Sequence, residues 1–362
     1  ATGQRFPKIL FILWIPALAG LVFLAADPND ANSWRSAANY LGLASSTMVF
    51  YAILDRGEVG LDGWIPFALF LYALAGGIQR WIEPPYFDSM LSRSTSLFLG
   101  RGVNSLTAEP SHFGLVALFM VFYLWVRGKL TLPSFLLGAF CIVFLSSSAL
   151  SIVFLLAWCC AWLFWRFPRG RVFLILGLLA LVFLPQVVDL KPLEGQLASR
   201  STRLLLRFWQ DPLRAAVIDP SANERFSHAL VAITGFLENF PNGAGFGDHF
   251  ASYFPEGCKE GLFPIALGGQ AGGRIMSGFG SGLHELGLLG LIVPVVSVLL
   301  ILTYRPFEGL QKWAAGPLTC LLMFMAIPLI FPFFAMLLAA FATGFGSPPS
   351  PKISPPQAPN HE

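Results

Sequence analysis

The feature that most limits what this chain can fold into is a series of uninterrupted apolar runs. They occupy 9–26, 37–54, 64–78, 113–126, 130–147, 149–165, 172–188, 286–304 and 314–343. A helix needs roughly 20 such residues to cross a bilayer. Within hydrocarbon, every backbone polar group must find its partner inside the protein, which leaves helices and closed barrels as spanning structures. These runs lack the alternation of barrel strands, so they read as helices. Only 12% of the 362 residues are charged, against about 25% in a typical soluble domain. A water-soluble globule and a disordered chain are both excluded. The expected fold is all-α, a polytopic membrane helical bundle of about nine or ten spans.

Two of the boundaries are weakly marked. Only Ser146, Ser147, Ser148 and Ser151 separate the fifth run from the sixth. The last run contains Pro317, Pro328 and Pro332, which allows either one long kinked span or two short ones. The first run follows Arg5 and Lys8 and has no A-x-A site before Asp27. It reads as a retained span rather than a signal peptide.

Net charge is +3, too balanced for a nucleic-acid partner. The placement of charge is more informative. With the N-terminus inside, the inner segments carry Arg5, Lys8, Arg56, Arg127, Lys129, Arg166, Arg169, Arg171, Arg305 and Lys312. The short outer loop 27–36 carries Arg35 alone. That asymmetry follows the positive-inside rule. Two long polar segments, 79–112 and 189–285, then share the outer face, and connections of that length usually carry function. The organisation expected is an N-terminal bundle over 1–188 with its outer loop 79–112, a large outer loop over 189–285, C-terminal helices over 286–343, and a disordered Pro-rich tail over 344–362. The five cysteines, Cys141, Cys159, Cys160, Cys258 and Cys320, have no metal-ligand spacing. No metal and no cofactor are expected.

The first outer segment ends Arg101-Gly-Val-Asn-Ser-Leu-Thr-Ala-Glu109-Pro110-Ser111-His112-Phe-Gly114. An acid, a hydroxyl and an imidazole meet at the mouth of the fourth span. Ser111 fits a helix cap, with Pro110 fixing the turn. The same spacing also lets Glu109 or His112 take a proton from a hydroxyl nucleophile.

In the second outer segment, Arg200, Arg203, Arg207 and Arg214 fall on one helical face, while Leu204, Leu205, Phe208 and Trp209 lie largely off it. An amphipathic helix on the membrane surface fits, and so does a set of guanidiniums that bind a lipid diphosphate. Pro220, Ser221 and Glu224 have the spacing of a capped helix start, and Arg225 and His228 then share a face. That helix stops at Pro241-Asn242-Gly243-Ala244-Gly245-Phe246-Gly247, a turn in which a backbone can approach a ligand. Further on, Arg274, Ser277, Ser281, His284 and Glu285 precede the span that opens at Leu286-Gly287-Leu-Leu-Gly290.

In combination these motifs resemble the O-antigen polymerase/ligase superfamily. Glu109-Pro110-Ser111 opens a mid-chain span, Arg225 leads to the glycine turn, and Glu285-Leu-Gly287 opens a late span. The likeness covers 79–304 and is nearest to the Wzy-type polysaccharide polymerases. Ligases of the superfamily carry a His-Asn pair shortly before the acid that matches Glu285; here Met276 and Ser277 stand there, which speaks against a ligase, and Glu109-Pro110-Ser111 suits a polymerase better.

The resemblance implies a C-type glycosyltransferase fold with a large helical periplasmic loop. It implies a bacterial inner-membrane protein acting without metal on the periplasmic face. Its substrates would be undecaprenyl-diphosphate-linked glycans, its surroundings membrane lipids, and its further partner a chain-length-regulating co-polymerase. On that reading Arg225 holds the diphosphate, with Arg101, Arg80 and Arg207 as supporting cations. Glu109 is the general base, with His112, His228 and His284 as alternatives. The rivals are an O-antigen ligase and a transporter. A transporter would want charged or broken helices at mid-membrane depth, whereas these spans carry almost no ionisable residues.

Overall fold

The computed structural model describes residues 7–57, 60–82, 102–107, 110–172, 175–177, 200–211, 214–215, 218, 220–246, 275, 277–307, 309–325 and 327–344. Among them the chain is all-helical. Five helices are long and apolar enough to cross a membrane: α1 (Lys8–Ala26), α2 (Ala31–Arg56), α3 (Leu61–Trp81), α6 (Ala149–Arg166) and α9 (Gly278–Thr303). Four more are apolar or partly so but shorter: α4 (Pro110–Val126), α5 (Leu132–Ser146), α10 (Gly309–Met325) and α11 (Pro332–Thr343). Two are less apolar, α7 (Arg200–Gln210) and α8 (Pro220–Glu238). The protein is membrane-embedded and helical.

The breaks fall where the sequence marks them. Asp30 caps α2, its carboxylate accepting from the backbone N–H groups of Asn32 at 3.1 Å and Ser33 at 2.9 Å. These bonds, with charge-favouring backbone dipoles first, hold its carboxyl below the usual range. Gly57 ends α2 in the left-handed region. The serine boundary is a sharp turn: α5 widens to π-helical geometry over Cys141–Ser146, Ser147 is left-handed, and Ser148 caps α6. The proline-rich last run is two helices, α10 and α11, with the chain turning over 327–331. The run expected over 172–188 lies mostly outside the described residues.

Two of the short helices form the centre. From Phe334 to Ala342 every residue of α11 is buried, and α4 is buried around almost its whole circumference. A helix that is apolar on all sides belongs inside a bundle. The long helices surround them and turn Phe11, Val22, Trp64, Phe67, Phe70, Val153 and Leu156 outward, as a lipid-facing surface would. α7 behaves as its pattern requires, with Leu206 buried and Arg203 and Arg207 exposed.

One end of the bundle is a clamp. Arg127, just past α4, meets Asp62 at the start of α3 at 3.2 Å. The Tyr123 hydroxyl donates to the same Asp62 oxygen at 2.6 Å. Arg127 Nη1 donates to Thr343 at the end of α11 at 3.1 Å, and the Tyr304 hydroxyl donates to the Val126 carbonyl at 2.6 Å. Four helix termini are thus tied together, and the opposite end receives the starts of α2, α4, α9 and α11.

Candidate functional site

Two buried polar clusters occupy the end opposite the clamp. The first is built on α9. Ser277 caps that helix by accepting from the Gly280 N–H at 2.8 Å. Two turns on, both oxygens of Glu285 accept hydroxyl protons from α2, from Ser36 at 2.7 Å and from Tyr40 at 2.6 Å. Glu285 and its neighbour His284 are both buried. A hydrogen bond to an ionised group contributes roughly 1.5–3 kcal/mol, and more is lost when a buried charge is left unmatched. The Glu285 carboxylate therefore fastens α9 to α2.

Pro241–Phe246 closes this cluster from the side. The Ala244 N–H donates to the His284 carbonyl at 2.6 Å, the Gly245 N–H to the Glu285 carbonyl at 3.2 Å, and the Leu288 N–H to the Pro241 carbonyl at 2.9 Å. Gly243 and Gly287 both have positive φ, 77° and 56°. A Cβ on Gly243 would lie 2.5 Å from the Gly287 nitrogen, and one on Gly287 would meet the backbone of Pro241 to Gly243. Gly243 admits another stretch of the protein's own backbone, where the sequence reading expected room for a ligand. Phe246 lies 6.3 Å from Tyr40, nearly parallel to it, and 5.5 Å from Phe23.

α8 brings the remaining residues. A Cβ on Gly280 would touch Ala232, and one on Gly235 would collide with the His284 imidazole. The two helices therefore run in the same direction. His228 lies two turns before Gly235 on the same face and is buried. Burial, and then the Arg225 cation, push His228 down to about 4. It is neutral at pH 7 and a weak base, suited to hydrogen bonding more than to proton abstraction.

The second cluster surrounds residues 102–107, which follow Arg101 in the first motif. Their backbone is bonded into the bundle. The Val103 N–H donates to the Leu145 carbonyl at 2.8 Å, satisfying an acceptor at the end of α5. Gln79 grips Ser105 at both backbone atoms: Oε1 accepts from the Ser105 N–H at 2.6 Å, and Nε2 donates to the Ser105 carbonyl at 3.2 Å. The Ser105 hydroxyl donates to the Tyr72 carbonyl at 2.6 Å. Ser105 (φ 54°) and Ser147 (φ 47°) are the non-glycine residues with positive φ among the described residues, and both belong to this cluster.

Of the residues expected from sequence, Glu109 and Arg101 lie outside the described residues. His284 packs against α8 at Gly235, while His228 lies two turns and Arg225 nearly three turns before that glycine on α8. His112 is half-buried in the first turn of α4. Arg80 at the end of α3 and Arg207 on α7 are exposed, outside the buried clusters. Ser111 lies inside α4, which begins at Pro110, and so does not cap it. Ser221 and Glu224 likewise lie inside α8. The sequence reading missed Ser36, Tyr40, Gln79 and Asn104. A signal for the first two exists: Ser33, Ser36, Tyr40 and Thr47 recur at spacings of three, four and seven along α2, a polar stripe on one helical face.

The helix expected to start at Leu286 begins at Gly278 instead and is broken at Gly287. His284 and Glu285 thus lie inside a candidate span, which corrects the view that the spans are nearly free of ionisable groups. No protein-family model matches this chain, and no curated protein matches it.

Proposed function

We propose that this chain is a polysaccharide polymerase, a membrane glycosyltransferase that joins repeat units carried on undecaprenyl diphosphate. One observation carries the reading: α9 buries His284 and Glu285 inside a candidate span, and α8, which packs on α9, carries Arg225 and the buried His228 toward the same end of the bundle. Ionisable groups are expensive at membrane depth and mark function there. The order of motifs that resembles Wzy-type polymerases supplies the substrate class.

In this reading the fold is that of C-type glycosyltransferases, the clamp end faces the cytoplasm, and the cluster end faces the periplasm. A hydroxyl of one glycan attacks the anomeric carbon of the other. The new C–O bond forms as the bond to the lipid diphosphate breaks, and the hydroxyl proton passes to a base. The diphosphate already leaves well and mainly needs its charge stabilised. Arg225 supplies that charge, with Arg101, Arg80 and Arg207 as the other cations. Glu109 serves as the base. Glu285, whose two oxygens already accept protons from Ser36 and Tyr40, is a positioning residue.

Translocation is the second reading, favoured by the break in α9 beside a buried acid. Broken helices lining a polar site are a transporter feature. Purified protein in nanodiscs, incubated with undecaprenyl-diphosphate-linked repeat units, separates the readings. A ladder of lengthening products supports polymerisation. A single transfer to lipid A core indicates a ligase. No glycosidic product, with gradient-driven uptake in liposomes, indicates a transporter and refutes the proposal.

A further inference from the structure

Beside the central helices lies a cleft that the reaction above does not use. It is bounded by α4, α6, α10 and α11, is open on one side, and measures about 30 Å³; a single water needs roughly 10–15 Å³. Phe119, Phe122, Phe154, Leu318 and Leu337 make its walls apolar. Two polar side chains join them, Trp158 of α6 and Thr319 of α10. They are 7% and 3% exposed, and neither the indole Nε1 nor the threonine hydroxyl has a hydrogen-bond partner among the described residues. Native proteins seldom leave such groups unpaired. Other buried hydroxyls of the bundle satisfy themselves locally. Thr47 and Ser297, each within a candidate span, donate back to the carbonyls of Leu43 and Val293, both at 2.7 Å. The Thr319 hydroxyl makes no such bond, which leaves it available to whatever enters.

Depth decides what can enter. Trp158 is at the middle of α6, about 13 Å from either end at 1.5 Å per residue. The hydrocarbon core of a bilayer is roughly 30 Å thick. The ester oxygens of a phospholipid therefore stay at its edges, and an acyl chain would bring only methylenes to the two polar groups. No ionisable side chain lines the cleft among the described residues, which disfavours a charged ligand at this depth. What fits is slender, mostly hydrocarbon, and carries one oxygen that accepts from an indole N–H and shares a hydrogen bond with a threonine. We propose that the cleft binds an aliphatic alcohol dissolved in the bilayer, its hydroxyl held by Trp158 and Thr319 and its chain lying along the phenylalanines. The site stands apart from the polymerase reading and does not depend on it.

The test uses the full chain in nanodiscs and two photoreactive probes, octanol and octane each carrying a diazirine, with adducts mapped by peptide mass spectrometry. The alcohol probe should label α4, α6 or α10 at the cleft. Excess octanol should suppress that labelling, and excess octane should not. Thr319→Val removes the hydroxyl and keeps the shape of the side chain; because that hydroxyl is unpaired, the variant should melt no lower than wild type. The alcohol concentration that half-saturates labelling should rise roughly tenfold, the scale of one lost hydrogen bond. Trp158→Phe removes the other donor and should give the same loss, which keeps the proposal testable if Thr319→Val fails to fold. Equal labelling by the octane probe, or wild-type labelling in either folded variant, overturns the proposal, because the cleft then takes hydrocarbon without regard to its polar pair. Absence of cleft adducts from the alcohol probe also overturns it, the result expected if water fills the space.

Discussion

At the clamp end, Asp62 is met by the Arg127 guanidinium and a tyrosine hydroxyl, and the pair ties together the termini of α3, α4, α9 and α11. At the opposite end, Glu285 is met by the hydroxyls of Ser36 and Tyr40, next to the buried His284 and a glycine turn packed backbone to backbone. A bidentate guanidinium–carboxylate pair is a rigid fastener. A carboxylate held by neutral hydroxyls is a more adaptable arrangement. The same fold thus carries an ion-pair fastener at one end and buried polar groups at the other.

The largest predicted effect breaks the cluster end at its backbone. Gly287→Ala places a methyl group against the backbone of Pro241–Gly243 at a residue with positive φ. We expect loss of monodisperse protein on size-exclusion chromatography. The control is Gly60→Ala near the clamp, where a Cβ meets nothing within 4 Å and the elution profile should be unchanged.

The clamp itself comes next. Asp62→Ala leaves the part-buried Arg127 without its carboxylate. Breaking one partner of a fully buried pair costs roughly 3–5 kcal/mol; here both side chains keep about a quarter of their exposure, so about 2 kcal/mol is expected. The double variant Asp62→Ala/Arg127→Ala should lose less than the sum of the two singles, the sign of direct coupling. Transfer activity per folded molecule should hold in both.

At Glu285 the effects should be smaller on stability and larger on activity. Tyr40→Phe and Ser36→Ala each remove one bond to the carboxylate, costing about 1–2 kcal/mol. Each should lower product formation while shifting the melting transition down by only a few degrees. In a double-mutant cycle with Glu285→Gln, the Tyr40 effect should shrink.

His228 gives the smallest effect, legible as a pH dependence. Its folded pKa is about 4 against 6.5 for the free side chain, so the unfolded chain binds the extra proton first. Stability should be full above pH 6.5 and fall as pH drops toward 4. The slope should flatten in His228→Gln, as read by thermal melts of the nanodisc-embedded protein.

The helical membrane character was legible from the apolar runs; the serine boundary was only weakly marked, and the prolines of the last run left one kinked span or two short ones open, which the turn over 327–331 decides. Those features are local: run length, a serine cluster and proline positions mark them. The shared helix of Arg225 and His228 was legible from spacing, whereas His284, expected ahead of the late span, lies inside it. The partners of Glu285 were not legible, since Ser36 and Tyr40 lie 249 and 245 residues away and no periodicity reports a contact at that range. The glycine turn was read as a place for a ligand, and sequence alone does not say that the protein's own backbone at Gly287 fills it. The burial of 102–107 was hidden for a similar reason: its polar composition reads as surface, and only the Gln79 grip and the Leu145 carbonyl make it an internal segment.

The central claim is that the clamp and the clusters face opposite sides of the membrane, with the chemistry outside. It is tested most directly by single cysteines in a cysteine-free background, at Asp27→Cys between α1 and α2 and at Lys129→Cys beyond Arg127, both at exposed positions. An impermeant maleimide added to intact cells should label position 27 and reach position 129 only after permeabilisation. Labelling of both from outside, or of 129 alone, would contradict the account.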